Sequence, residues 1–158
     1  MTRTSSRAAL LHVAVQDLHA GKLDQARRLP ALADAARDPA LRALLRAEAA
    51  AVAVQADRLA TLGGAGGPAN LWMAGVLDDA ERDARSHQPG PLLDVALVGA
   101  VRKAKAAEIV SGETALALAR VEGLDAFAQA VAANGAEERA SDAALKERLG
   151  ALSGATAS

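Results

Sequence analysis

The chain has 158 residues, more than a quarter of them alanine, which is the size of one domain and too short for two independent cores. Tyrosine and cysteine are absent and Phe and Trp occur once each, so strand-favouring types are scarce, and disulfides, thiolate nucleophiles and sulfur-ligated metal sites are excluded. The net charge is -1, and the densest basic stretch, Arg102-Lys103-Ala104-Lys105, is too small a footprint for nucleic acid.

Alanine is the strongest helix former, so this composition predicts an all-α fold. The residues Ala8 to Val15 are apolar, but His12 interrupts them and Gln16 and Asp17 follow. No signal peptide is expected there, no run reaches membrane-span length, and the expected location is the cytoplasm. An alanine-rich core buries little apolar area per residue, which leads us to expect a homodimer.

In chain order, residues 1–5 read as an N-terminal tail, 6–150 as the bundle and 151–158 as a disordered C-terminal tail. Helix one is predicted from Ser6 to about Arg37, with Leu11, Val15, Leu18, Leu29 and Leu32 on one stripe and a kink at Pro30. Asp38-Pro39 is an N-cap followed by a proline at the first helical position, and Leu41, Leu44, Leu45, Val52, Leu59 and Leu62 mark helix two. The stretch Gly63-Gly64-Ala65-Gly66-Gly67-Pro68 is the strongest breaker in the chain. It leads to a shorter connecting helix from Asn70 to Ser86 that holds Trp72, Met73, Val76 and Leu77.

Pro89-Gly90-Pro91 ends the connector and starts helix three, which carries Leu93, Leu97, Val101, Ile109 and Leu116 to about Val121, with Gly123 closing it. Helix four is predicted from about Asp125 to Leu149, with Phe127, Val131, Leu145 and Leu149 in phase. A bend is expected at Asn134-Gly135, where the glycine costs about 1 kcal/mol against alanine. Two hairpin-like helix pairs joined by a long crossover containing a short connecting helix predict the ferritin-like form of the four-helix bundle.

Continued at the same spacing, each apolar stripe runs onto polar residues at mid-height. Helix one brings Lys22 and Gln25, helix two Glu48 and Gln55, helix three Lys105 and Glu108, and helix four Glu138. A dinuclear carboxylate centre needs roughly four to six inward carboxylates and histidines, usually with Glu-x-x-His motifs, and this chain has no such motif. Ammonium groups cannot act as ligands, whereas Lys22 and Lys105 can form charge-balanced pairs with Glu108 and Glu138. His12 and His19 lie seven residues apart, roughly 10 Å, too far for one metal without a third element, and His87 falls in a turn.

Four stretches carry a resemblance to a known family over about residues 8 to 147: Asp17-Leu18-His19 with Leu29-Pro30, Asp38-Pro39-Ala40-Leu41, Met73-Ala74-Gly75-Val76-Leu77-Asp78-Asp79, and Glu137-Glu138-Arg139-Ala140-Ser141-Asp142. The chain resembles the YciE/YciF-type stress-associated ferritin-like family. The resemblance implies a ferritin-like bundle, commonly dimeric, with a dinuclear metal site supplied by acids on its long helices. The departures fall on those acids: His19-Ala20-Gly21-Lys22 places a lysine where the family pattern has a glutamate, and the helix-two acids fall on Ala49-Ala50-Ala51. Ala104-Lys105-Ala106-Ala107-Glu108 again exchanges the first acid for lysine, leaving Glu108 and the Glu137-Glu138 pair.

The reading reached is a non-enzymatic, stress-associated bundle with no catalytic residue and no cofactor. A central network of Lys22, Gln25, Glu48, Gln55, Lys105, Glu108 and Glu138 stands in it where the metal centre would be. The rival is a di-metal oxidase or iron-handling protein that holds iron or manganese through Glu48, Glu108 and Glu138, with Glu137 or Asp142. A helical adaptor taking a small molecule or peptide between its helices is the third.

Overall fold

A computed structural model describes residues 3–155, without the side chain of Ala155. It has five helices and, among the described residues, no strand: α1 Arg7–Ala35, α2 Pro39–Ala60, α3 Leu71–Ser86, α4 Pro91–Val121 and α5 Asp125–Ala155. No helix is long and apolar enough, among the described residues, to cross a membrane.

The helix starts are fixed locally. The Ser6 hydroxyl accepts from the Ala9 amide, the Asp38 carboxylate from the Leu41 amide and the Asn70 carbonyl from the Met73 amide, each satisfying a donor that the first turn leaves free. Pro39 and Pro91 sit in the first turns of α2 and α4, where a missing N–H costs nothing. Buried Asp94 accepts from the Arg37 and Asp38 amides at 2.8 and 2.9 Å, which ties the start of α4 to the turn between α1 and α2. After α2, Gly63 and Gly66 take positive φ, and a Cβ on Gly67 would come within 2.6 Å of the Gln16 side chain. The glycine-rich loop thus lies directly on α1.

α1 pairs with α2 and α4 with α5, α1 also contacts α4, and α2 also contacts α5. α3 lies against α1 and α4 and carries the chain from one end of the bundle to the other. α2 ends beside the start of α1, where a Cβ on Gly63 would meet His12, while α4 starts at the turn between α1 and α2. The crossover seats itself on α1 through the Asn70 amide, which donates to the Asp17 carbonyl at 2.9 Å, and the Trp72 indole, which donates to the Asp17 carboxylate at 3.0 Å.

The two sites at which the sequence predicts a kink or bend both lie within unbroken helices. α1 continues through the exposed Pro30, and α5 runs through Asn134-Gly135 without interruption. α5 also extends past 150 as far as Ala155, because Leu152 packs into the core with Leu32, Leu41 and Leu145 and outweighs the weak propensities of Gly150, Ser153 and Gly154. Residues 156–158 of the expected C-terminal tail lie outside the described residues, as do 1 and 2 of the N-terminal one.

The core is in two parts. One cluster, with Leu29, Leu32, Leu41, Leu45, Leu93, Leu97 and Leu145, fills the end of the bundle at the α1–α2 turn. The other, with Leu11, Val15, Leu18, Leu59, Ala115, Ala119 and Val131, fills the opposite end. The polar residues of the four stripes lie between them.

Candidate functional site

At mid-bundle the stripes of α1, α2, α4 and α5 place Lys22, Gln25, Glu48, Gln55, Lys105, Glu108, Asn134 and Glu138 inward, and all eight are buried. Lys105 is 0 % and Lys22 1 % exposed, the two largest fully buried side chains among the described residues. Such groups are rarely buried unless paired, and here they are paired.

The Lys22 Nζ stands 3.0 Å from Glu108 Oε2 and 3.0 Å from Glu138 Oε1, to which it donates a hydrogen bond. The Lys105 Nζ lies 2.8 Å from Glu138 Oε2 and 3.9 Å from Glu108 Oε2, and it donates to Glu48 Oε1. Glu138 is therefore bracketed by the two ammonium groups, one on each oxygen. Ser141, one turn along α5, donates its hydroxyl to the other oxygen of Glu48. The pairing draws on all four long helices, and Glu48 makes α2 a contributor although the neighbouring Ala49-Ala50-Ala51 offers nothing.

Electrostatics follow from burial and neighbours. Burial pushes the Glu108 carboxyl up, with Glu138 adding to the shift and Lys22 and Lys105 opposing it. Burial also acts upward on Glu138, but the charges of Lys22 and Lys105, with the hydrogen bond from Lys105, outweigh it and hold this group at about 2. Burial pushes the Lys105 ammonium down from its ordinary value, against the pull of Glu138 and Glu108. The layer holds three carboxyl groups to two amines. Glu108 Oε1 has no hydrogen-bond partner, nor does either polar atom of the fully buried Gln25 amide.

Beside the ions, Leu18, Lys22, Glu108, Gly112, Gly135 and Glu138 line a cavity of about 10 Å³, the room one water requires. Outside the layer, Arg58 on α2 donates to Asn134 and, at 3.0 Å, to Glu137, while the Gln55 amide donates to Glu137 at 2.9 Å. Glu137 thus points outward, and Asp142 binds Arg102 at 2.7 Å away from the layer. Neither reaches the central carboxylates. His12 and His87 are exposed, and His19 is buried near the glycine-rich loop, where a Cβ on Gly64 would lie 3.2 Å from it. Among the described residues, no three His, Cys, Asp or Glu side chains are grouped to hold a metal ion.

Ser141 and Asn134 belong to the site although the sequence reading did not place them there. Their signal was present, since Val131, Asn134, Glu138, Ser141 and Leu145 follow one spacing of three and four along α5.

Residues 6–158 match the family described as a domain of unknown function, DUF892. The structure is similar to that of the E. coli stress protein YciF, with a TM-score of 0.90 and 20 % identity over 96 % of this chain and 99 % of that one. It is also similar to YcfI of Rhodopseudomonas palustris, provisionally described as a structural protein, with a TM-score of 0.86 and 22 % identity over 92 % of this chain and 97 % of that one. No curated protein matches the sequence. At these identities the structural likeness fixes the fold, and the family match over residues 6–158 fixes the lineage: the chain is a member of the DUF892 family with the YciF-type helical fold.

Proposed function

We propose that this protein is a non-enzymatic, ferritin-like structural module, stress-associated by analogy with YciF, in which a lysine–carboxylate layer stands where related bundles would hold a dinuclear metal centre. The observation that carries the reading is the placement of the Lys22 and Lys105 nitrogens between Glu48, Glu108 and Glu138. A dinuclear centre needs roughly four to six inward carboxylates and histidines. This layer offers three carboxylates and no histidine, and each carboxylate already faces an ammonium group, which has no lone pair to give a metal. The donor set does not fit a resident pair of divalent ions.

Purified protein incubated with iron, manganese or zinc and freed of excess metal is expected to retain less than one equivalent by elemental analysis. Two tightly held equivalents would overturn the reading and favour an oxidase or iron-handling protein.

The module is further proposed to be a cytoplasmic homodimer. Alanine dominates the sequence, and a bundle with one Phe and one Trp gains limited burial from its own chain. Light scattering at micromolar concentration is expected to give twice the 16.0 kDa of one chain. A mass of one chain would refute the dimer.

A further inference from the structure

Lys105, Glu48, Glu138 and Ser141 bring together an amine, a carboxyl group, a second carboxylate and a hydroxyl in a water-poor interior. Lys105 Nζ contacts Glu48 Oε1, Glu138 Oε2 stands 2.8 Å from the same nitrogen, and the Ser141 hydroxyl donates to Glu48 Oε2. Each group comes with a role in acyl transfer. The amine is a nucleophile and the Glu48 carboxyl carbon an electrophile. Glu138 can carry a proton between them, and Ser141 can stabilise negative charge as it develops on Oε2.

We propose that Lys105 and Glu48 condense within the folded bundle to a Lys–Glu amide, a self-formed covalent link between the α1–α2 and α4–α5 hairpins. The Lys105 Nζ attacks Glu48 Cδ, forming the N–C bond and placing negative charge on Oε2, which Ser141 holds. Two protons leave the nitrogen. The first passes directly from the ammonium to Oε1 before attack, freeing the amine and neutralising the carboxyl. Glu138 takes the second from Nζ after attack and returns it to Oε1, so that the Cδ–Oε1 bond breaks and Oε1 departs as water. An ammonium–carboxylate pair and an amide plus one water have the same composition and charge. No proton is exchanged with solvent and no co-reactant is required.

Burial supplies the drive. Lys105 is fully buried, and desolvation pushes its ammonium down toward the neutral amine that attack requires. Holding the two groups in contact gives the reaction a high effective concentration. Lys22 lacks the same arrangement, because no hydroxyl donates to Glu108 or Glu138, the carboxylates it meets.

Intact mass under denaturing conditions tests this directly. The native sequence is expected to lie below its calculated mass by one water, and a tryptic digest to contain the Glu48 and Lys105 peptides joined, with no cleavage after Lys105. Lys105→Met and Glu48→Ala are expected at full mass, Lys22→Met still linked, and Glu138→Ala slowed about 100-fold or more. A full mass for the native sequence, with Glu48 and Lys105 on separate peptides, or a water lost at any other residue, would overturn the proposal even if a variant failed to fold. The outcome is separate from that of the metal experiment: a full mass removes the amide and leaves the ionic layer intact, whereas bound metal removes the ionic layer itself.

Discussion

Lys22→Met is expected to destabilise the bundle by about 3–5 kcal/mol in urea denaturation, the range for breaking a buried ion pair by removing one partner. The substitution preserves most of the side-chain volume, so the cost is not that of a cavity. It strands Glu108 and half of Glu138 in an interior whose other amine, Lys105, is already engaged by Glu48 and Glu138. Removing Glu108 as well, in Lys22→Met with Glu108→Leu, restores the former net charge of the layer and is expected to cost far less than the sum of the single changes. The two single changes should also differ, since three carboxyls face two amines and burial already pushes Glu108 toward its neutral form. Glu108→Gln is therefore expected to be the mildest single change in the layer. Additivity of the Lys22 and Glu108 substitutions within about 0.5 kcal/mol would show that the two residues act independently.

With Lys105 unlinked and charged, acid is expected to remove about 3 kcal/mol through Glu138. Its carboxyl is held at about 2 in the folded chain, against an ordinary value of 4.5. A folded-state value below the unfolded one stabilises above pH 4.5, and that stability is lost as pH falls toward about 2, at about 1.4 kcal/mol per unit of difference. Glu108 works in the opposite sense, since a raised folded value stabilises at low pH and the gain fades as pH rises. Chemical denaturation at a series of pH values should thus show a fall between about 4.5 and 2 that Glu138→Gln makes shallower, the remainder belonging to Asp38, Glu81 and Glu137, which arginine partners also hold below their ordinary values. An unchanged acid limb in that variant would move the effect to other carboxylates.

Burial of the central residues could be read from the sequence because helical spacing is a one-dimensional signal. Positions 11, 15, 18, 22, 25, 29 and 32 form one line along α1, and the core leucines on it fix where Lys22 and Gln25 must point. The same holds for Glu48 and Gln55 between Leu45 and Leu59. The partners were harder to read, because they depend on how far each helix is rotated and shifted relative to its neighbours. Lys105 to Glu48 spans α4 and α2, which are not consecutive, and nothing along either helix marks that meeting. Glu137 and Glu138 are equivalent in composition, and only the phase of α5 sends one inward and the other to Arg58. The end of α5 was misjudged for a different reason: local propensity favours an early stop, and what overrides it is burial of Leu152 in a core cluster built largely from helices far away in sequence.

The separation of the apolar interior into two clusters by one charged layer bears on how the helices are kept from sliding. Alanine surfaces are smooth, and a helix displaced along such a neighbour by one turn, about 5.4 Å, would meet much the same methyl groups again. The leucines at either end resist that displacement only weakly, since one aliphatic side chain replaces another at modest cost. A shift of α1 by one turn would instead withdraw the Lys22 nitrogen from both its carboxylates and push it toward the apolar cluster at one end of the bundle, leaving Lys22 and Glu108 without their close partner. The ions therefore act as an index pin, setting one longitudinal alignment among several that the methyl-rich faces would otherwise accept almost equally.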